Sequence, residues 1–147
     1  MDDSILLDIK KMLGIGPEYT AFDTDIIANI NAAIGVLNQL GIGVDEFFLM
    51  DATQTWNELV GVKRYGFQII KQYIYLKVKN VFDPPTSGVV LEANNALIKE
   101  LEYRLNVLYE CKKEEEEGGG GGGCGCNCKP LTEDQLNNLI NDLGGQP

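Results

Sequence analysis

Cys124, Cys126 and Cys128 alternate along the chain, and Cys111 is the only other thiol among 147 residues that include no histidine. On an extended backbone alternate side chains project to one side, so the three thiols would converge, with Cys111 available as a fourth sulfur for a tetrahedral zinc ion. The spacing argues the other way. Thiolate zinc sites are ordinarily built from C-x-x-C pairs, whereas only single-residue gaps occur here, downstream of the six glycines at 118–123. Ordering three thiols on a glycine leash costs chain entropy that metal binding would have to offset. Clustered cysteines in a reducing setting also make a disulfide framework the wrong expectation. The segment EEEEGGGGGGCGCNCKP is therefore read first as a tether, with a thiolate metal-binding or regulatory module on Cys111, Cys124, Cys126 and Cys128 as the rival.

Nothing else in the sequence assembles a catalyst. The lack of histidine removes the commonest general base and the commonest metal ligand together. No nucleophile elbow, P-loop or dinucleotide fingerprint occurs, and the glycine tract lacks the flanking strand, helix and lysine of a phosphate cradle. The expectation is a protein that is not an enzyme and carries no cofactor. A net charge of -10 argues against a surface that grips nucleic acid, because phosphate binding needs basic side chains that release counterions. No apolar run approaches the ~20 residues that cross a bilayer. The stretch MDDSILLDIKK is acidic where a signal peptide is basic, so a cytosol-like compartment and no membrane are expected.

The 44% hydrophobic content suits one domain with an arm, in an all-α architecture. Ile5, Leu6, Ile9, Met12 and Leu13 give helix one over 4–13, stopped by Gly14. Asp23 is the expected N-cap of helix two, with Phe22 and Ile27 as a hydrophobic staple. Its stripe is Ile26, Ile27, Ile30, Ala33, Ile34, Leu37 and Leu40, and Gly41 ends it. Over 42–54 the helical period is lost, and Phe47, Phe48, Leu49 and Met50 read as an ordered loop or short strand that covers either its own core or a neighbouring subunit. Thr55 and Glu58 form a capping box for helix three, whose first turns Gly61 and Gly66 interrupt.

Ile69, Ile70, Tyr73, Ile74, Leu76, Val78, Val81 and Phe82 are too broad for one stripe, so helix three is expected to pack on more than one side, tyrosines at the margin. The β-branched and aromatic content would also suit a strand; length and the helical neighbours decide for helix. Pro84 and Pro85 end it. Helix four starts near Ser87 with Val90, Ala93, Leu97, Leu101, Leu105 and Leu108 on one face and a Glu100 to Arg104 pair outside. Lys112 and Lys113 suit its C-terminal dipole, whereas the glutamates at 114–117 oppose it and should fray the end.

Three regions follow: a helical domain over 1–113, an acidic, Gly- and Cys-rich flexible linker over 114–130, and a docking helix with its tail over 131–147. In KPLTEDQLNNLINDLGG, Thr132 and Gln135 make a capping box, Leu131 and Leu136 a staple, and Leu136, Leu139, Ile140 and Leu143 an apolar stripe. So short a helix is stable only when docked. The tether spans ~66 Å extended and ~25 Å as a coil, which brings a partner surface within reach.

With these elements in place, YLKVKNVFDPPTSGVVLEANNALIKELEYRLN (75–106) resembles the small helical head-tail connector, or adaptor, proteins of long-tailed bacteriophages. The resemblance also takes in MDDSILLDIKKMLGI, FDTDIIANINAAIGVLNQLGIG, the Thr55–Trp56 helix start and the FDPPTS break, and covers about residues 1–110. It implies a four-helix adaptor domain and a structural virion protein at the head-tail junction, assembled in the host cytoplasm. It implies a homo-oligomeric ring, usually dodecameric, between the portal protein and a stopper or tail-completion protein; a stopper at the same junction is a second structural reading. Double-stranded DNA would pass through without specific binding, which an acidic wall favours. A C-terminal arm of this kind can clasp the portal, a job for Leu131, Leu136, Leu139, Ile140 and Leu143. Phe47, Phe48, Lys63, Arg64 and Lys71 are the candidates for contact with a neighbouring subunit or the tail; for the basic residues of helix three, with Lys77 and Lys79, a solvated helix face is the alternative.

Overall fold

Ser4 lies in extended backbone and its hydroxyl accepts the Leu7 N–H at 3.3 Å, which opens α1 (Ile5–Leu13) as the spacing predicts. The computed structural model describes residues 3–44, 46–61 and 66–116, and among these there are five helices and no strand. The N-terminal segment is tied to the middle of the chain before α1 begins, by Trp56 N–H to the Asp3 carbonyl and by Ile5 N–H to the Gln54 carbonyl.

In α2 (Asp23–Gln39), Ile26, Ile30, Ala33, Ile34 and Leu37 are buried, the stripe read from sequence. Asp23 is not its cap: it is the first helical residue, preceded by Phe22, and its carboxylate turns to Lys10 instead. The expected stop at Gly41 is a Schellman motif. Gly41 has φ 74°, its N–H reaches the Asn38 carbonyl and the Ile42 N–H reaches the Leu37 carbonyl, so Leu37 and Ile42 meet in the core.

The capping box of Thr55 and Glu58 is formed, yet the helix it opens is only α3 (Trp56–Val60). Helix three of the sequence reading is thus two helices, giving five in place of four among the described residues of the helical body, and Gly61, with φ 68°, stands at the end of the first. Gly66, with φ 76°, stands at the head of α4 (Phe67–Phe82). A Cβ there would lie 2.8 Å from Leu108 Cδ2, so any side chain at this position would also make Leu108 of α5 (Gly88–Glu116) shift. Lys and Glu are good helix formers and carry α5 into the acidic run as far as Glu116, the last described residue, so the expected end of the helix lies outside the described residues.

α4 packs on α2 and on α5, and α1 packs on α2 and α4, so α4 is the central element. Its burial is broad, as anticipated, with Ile70, Tyr73, Ile74, Leu76 and Val78 inside, but Val81 is exposed and Tyr73 lies at the centre instead of the margin. On α5 the buried residues are Ile98, Leu101 and Leu105, while Val90 and Ala93, placed inward from sequence, are exposed. The cause is a polar contact. Asn94 Nδ2 donates to Asn80 Oδ1 at 3.0 Å and Asn80 Nδ2 donates to Asn95 Oδ1 at 3.2 Å, which turns the first half of α5 toward α4 through its asparagines. A pattern that counts only apolar residues assigns those asparagines to solvent.

Candidate assembly surface

Most of the described basic side chains of the helical body pair within it. The Lys10 side chain is fully buried, and its Nζ lies 2.7 Å from Asp23 Oδ1 and donates to the Pro17 carbonyl at 3.2 Å. Sequence reasoning missed this pair, although Lys10 follows Leu6 by four residues on the buried face of α1 and was legible there as an inward cation. Asp8, on the same helix, accepts the Trp56 indole N–H at 3.0 Å and pairs with Lys71. Lys77 lies 3.9 Å from Glu102 and 5.7 Å from the Tyr73 ring centroid, and Lys79 pairs with Asp83 at 3.0 Å. The three described lysines of α4 therefore each have a partner within the chain. Lys63 and Arg64 lie outside the described residues.

Tyr73 is buried and its hydroxyl donates to Glu102 Oε1 at 2.8 Å. Burial, reinforced by that carboxylate, pushes the phenol well above its ordinary value of 10.0. The folded chain then holds a proton that the unfolded chain releases near pH 10.0, so this contribution to stability is complete below that pH and is lost as pH rises above it. Tyr73→Phe is expected to cost about 1 kcal/mol at neutral pH and to flatten the fall in urea midpoint above pH 10; an unchanged alkaline limb would show that another group causes it.

The loop before α3 covers the core with part of its apolar cluster and leaves the rest in solvent. Phe47 is half-buried and Leu49 fully buried against the core, whereas Phe48 and Met50 are 61% and 70% exposed. The backbone is held in this register from several sides. Asn31 of α2 donates to the Leu49 carbonyl and accepts its N–H, both at 2.8 Å. The Gln54 side chain donates to the Phe48 carbonyl at 2.8 Å and accepts from Met50 N–H, and Asp51 accepts from Thr53 N–H at 2.7 Å and from its hydroxyl. Those Thr53 contacts hold the Asp51 carboxyl below its usual range. The result is a fixed projection carrying two large apolar side chains into solvent. Met50 was read from sequence only as part of that apolar cluster, and the alternation in FFLM pairs it with Phe48.

α5 presents a second exposed apolar feature, with Val89 at 77% and Tyr103 at 71% accessibility and Val107 on the same side. The Glu100 to Arg104 pair lies on the exterior as expected, at 2.7 Å. Among the described residues no cluster of three or more Cys, Asp or Glu side chains could hold a metal ion, and no helix is long and apolar enough to cross a membrane. Cys111 lies on α5, with its side chain outside the described part of the structure. Cys124, Cys126 and Cys128 and the stripe of Leu131, Leu136, Leu139, Ile140 and Leu143 also lie outside the described residues.

Exposed apolar projections on a helical body suit assembly with other proteins. No curated protein and no solved structure matches the chain. A family model described as phage connector protein matches residues 5–112, from the first turn of α1 to near the end of α5. That span covers well over half of the sequence and nearly the whole described body, and the chain belongs to the phage connector protein family.

Proposed function

We propose that the protein forms a ring, usually of dodecameric symmetry in such assemblies, between the portal and the tail or stopper at the head-tail junction of the virion. Its work is mechanical, not catalytic: it docks successive components and leaves an open passage for double-stranded DNA. The observation that carries this reading is the connector family match across the helical body. The charge supports it, since a wall with net charge -10 repels phosphates and lets the duplex slide, where a basic wall would hold it through many released counterions.

The tail of the chain has a place in the same scheme. Residues 131–143 dock on the portal through Leu131, Leu136, Leu139, Ile140 and Leu143, and the linker supplies the reach. Cys124, Cys126 and Cys128 are passengers on that linker and hold no resident metal. Phe48 projects to a neighbouring subunit, with Phe47 supporting it from the core side, and Lys63, Arg64 and Lys71 mark the face toward the adjoining component.

The test is the mass of the full chain in solution by light scattering, alone and mixed with the portal of the same phage. A large ring in either condition supports the reading, and a monomer that ignores the portal overturns it. Deleting 132–147 is expected to leave helical content and thermal midpoint unchanged while weakening portal binding at least about tenfold, the loss of a few buried apolar anchors. Undiminished binding by the truncated chain would refute the docking role of the last helix.

A further inference from the structure

Two apolar features stand on different elements of the helical body. The Phe48–Met50 projection is fixed to α2 through Asn31, while Tyr103 and its neighbours lie on the side of α5 left open to solvent, and α4 packs between α2 and α5. Neither feature serves the fold: the side chains of Phe48, Met50 and Tyr103 are mostly exposed, yet the loop backbone is held by a set of side-chain hydrogen bonds. A pre-ordered Phe and Met on a rigid loop lose little conformational freedom on docking, which is what makes such side chains effective anchors.

We infer that copies of this chain join head to tail, the Phe48–Met50 projection of one copy seated on the α5 surface around Ala96, Lys99, Tyr103 and Val107 of the next. This deepens the ring reading and rests on it. A surface on one element that fits a different surface on another generates a closed ring when the rotation between copies closes, whereas a self-complementary patch stops at a dimer. Charge agrees with the pairing. The projection carries the exposed Asp51, held in place by Thr53, beside Met50, and the α5 surface carries the exposed Lys99 between Ala96 and Tyr103, with no partner among the described residues. An acidic rim thus meets an unpaired cation when the apolar centres are brought together.

The experiment uses two single variants of the full chain, Phe48→Lys and Tyr103→Glu, in the condition where the wild type assembles. Both side chains are exposed, so circular dichroism should report unchanged helix. Each variant alone is expected to raise the concentration for half-assembly about 30-fold or more, the effect of losing a central anchor. Mixed in equal amounts they should assemble again. The lysine-bearing projection of one then sits on the glutamate-bearing surface of the other, and the alternate interfaces retain both native residues. Misfolding cannot produce that mutual rescue. If either variant assembles like the wild type, or the mixture fails to recover, this interface is wrong while the ring stands. If the wild type never assembles, alone or with portal, the ring reading and this interface fall together.

Discussion

Replacing Asp23 with asparagine is expected to remove about 3–5 kcal/mol of folding stability, the cost of leaving a buried charge without its counter-charge. The Lys10 side chain has no contact with solvent, and its ammonium is satisfied by Asp23 Oδ1 at 2.7 Å and the Pro17 carbonyl at 3.2 Å. Asparagine keeps the size of the side chain and removes the negative charge, so the ammonium must either stay buried against neutral dipoles or drag α1 open to reach water. The reverse change behaves differently. In Lys10→Met the apolar stem is replaced by one of similar length, and the Asp23 carboxylate, 23% exposed, recovers hydration. That variant is expected to lose less than Asp23→Asn, because the carboxylate it leaves behind lies nearer to water than the ammonium that Asp23→Asn leaves behind. Urea denaturation of both variants checks the asymmetry; equal losses would mean that the pair contributes as a unit and that burial of Lys10 is not what makes Asp23 indispensable.

This pair also marks how far the fold was legible. Apolar periodicity located α1, α2, the loop and the long final helix, because each buries one face and obeys the 3.6-residue repeat. It failed where polar groups decide the geometry. Asp23 has the residue type and position of an N-cap, and only the nearby buried Lys10 makes it an ion-pair partner. Asn94 reads as a surface residue until Asn80 is seen across from it, and Tyr73 reads as a margin residue until Glu102 is seen to accept its hydroxyl. Each is a contact between residues distant in sequence, for which a local pattern has no term. The α4 lysines fall in the same class: their clustering is visible in the sequence, but their engagement with Asp8, Glu102 and Asp83 is not.

For the candidate surface the limit is different. Alternation in FFLM gives the in-and-out pattern of the loop, which is why Phe48 could be named. What makes that loop a fixed projection is Asn31, sixteen or more residues upstream, whose side chain imitates a neighbouring strand by both donating to and accepting from Leu49. The exposed side of α5 was hidden by the same rotation that turned Asn94 inward, since Val90 and Ala93 were assigned to the core.

Trp56→Ala is the second large effect, with an expected loss of about 3–5 kcal/mol. Trp56 is 1% exposed, its ring meets Phe67 edge-on at 5.5 Å between centroids, and its indole N–H donates to Asp8. It joins three elements, since it begins α3, packs on the first residue of α4 and bonds to α1. Truncation leaves a cavity at that junction and removes one partner of Asp8, which keeps Lys71 and is partly hydrated, so packing accounts for most of the loss. Trp56→Phe separates the two contributions in part: it retains a ring against Phe67 but deletes the N–H and some of the buried volume, and is expected to cost about 1–3 kcal/mol, less than the alanine variant. In thermal melts the alanine variant should fall by about 10–20 °C. Because Gln54 and Thr55 lead directly into Trp56 and Gln54 fixes the Phe48 carbonyl, the same substitution should raise hydrogen exchange across 46–55 before global unfolding. If exchange there stayed at the wild-type level while stability dropped, the projection would be held by Asn31 alone, and Asn31→Ala would become the substitution that releases it.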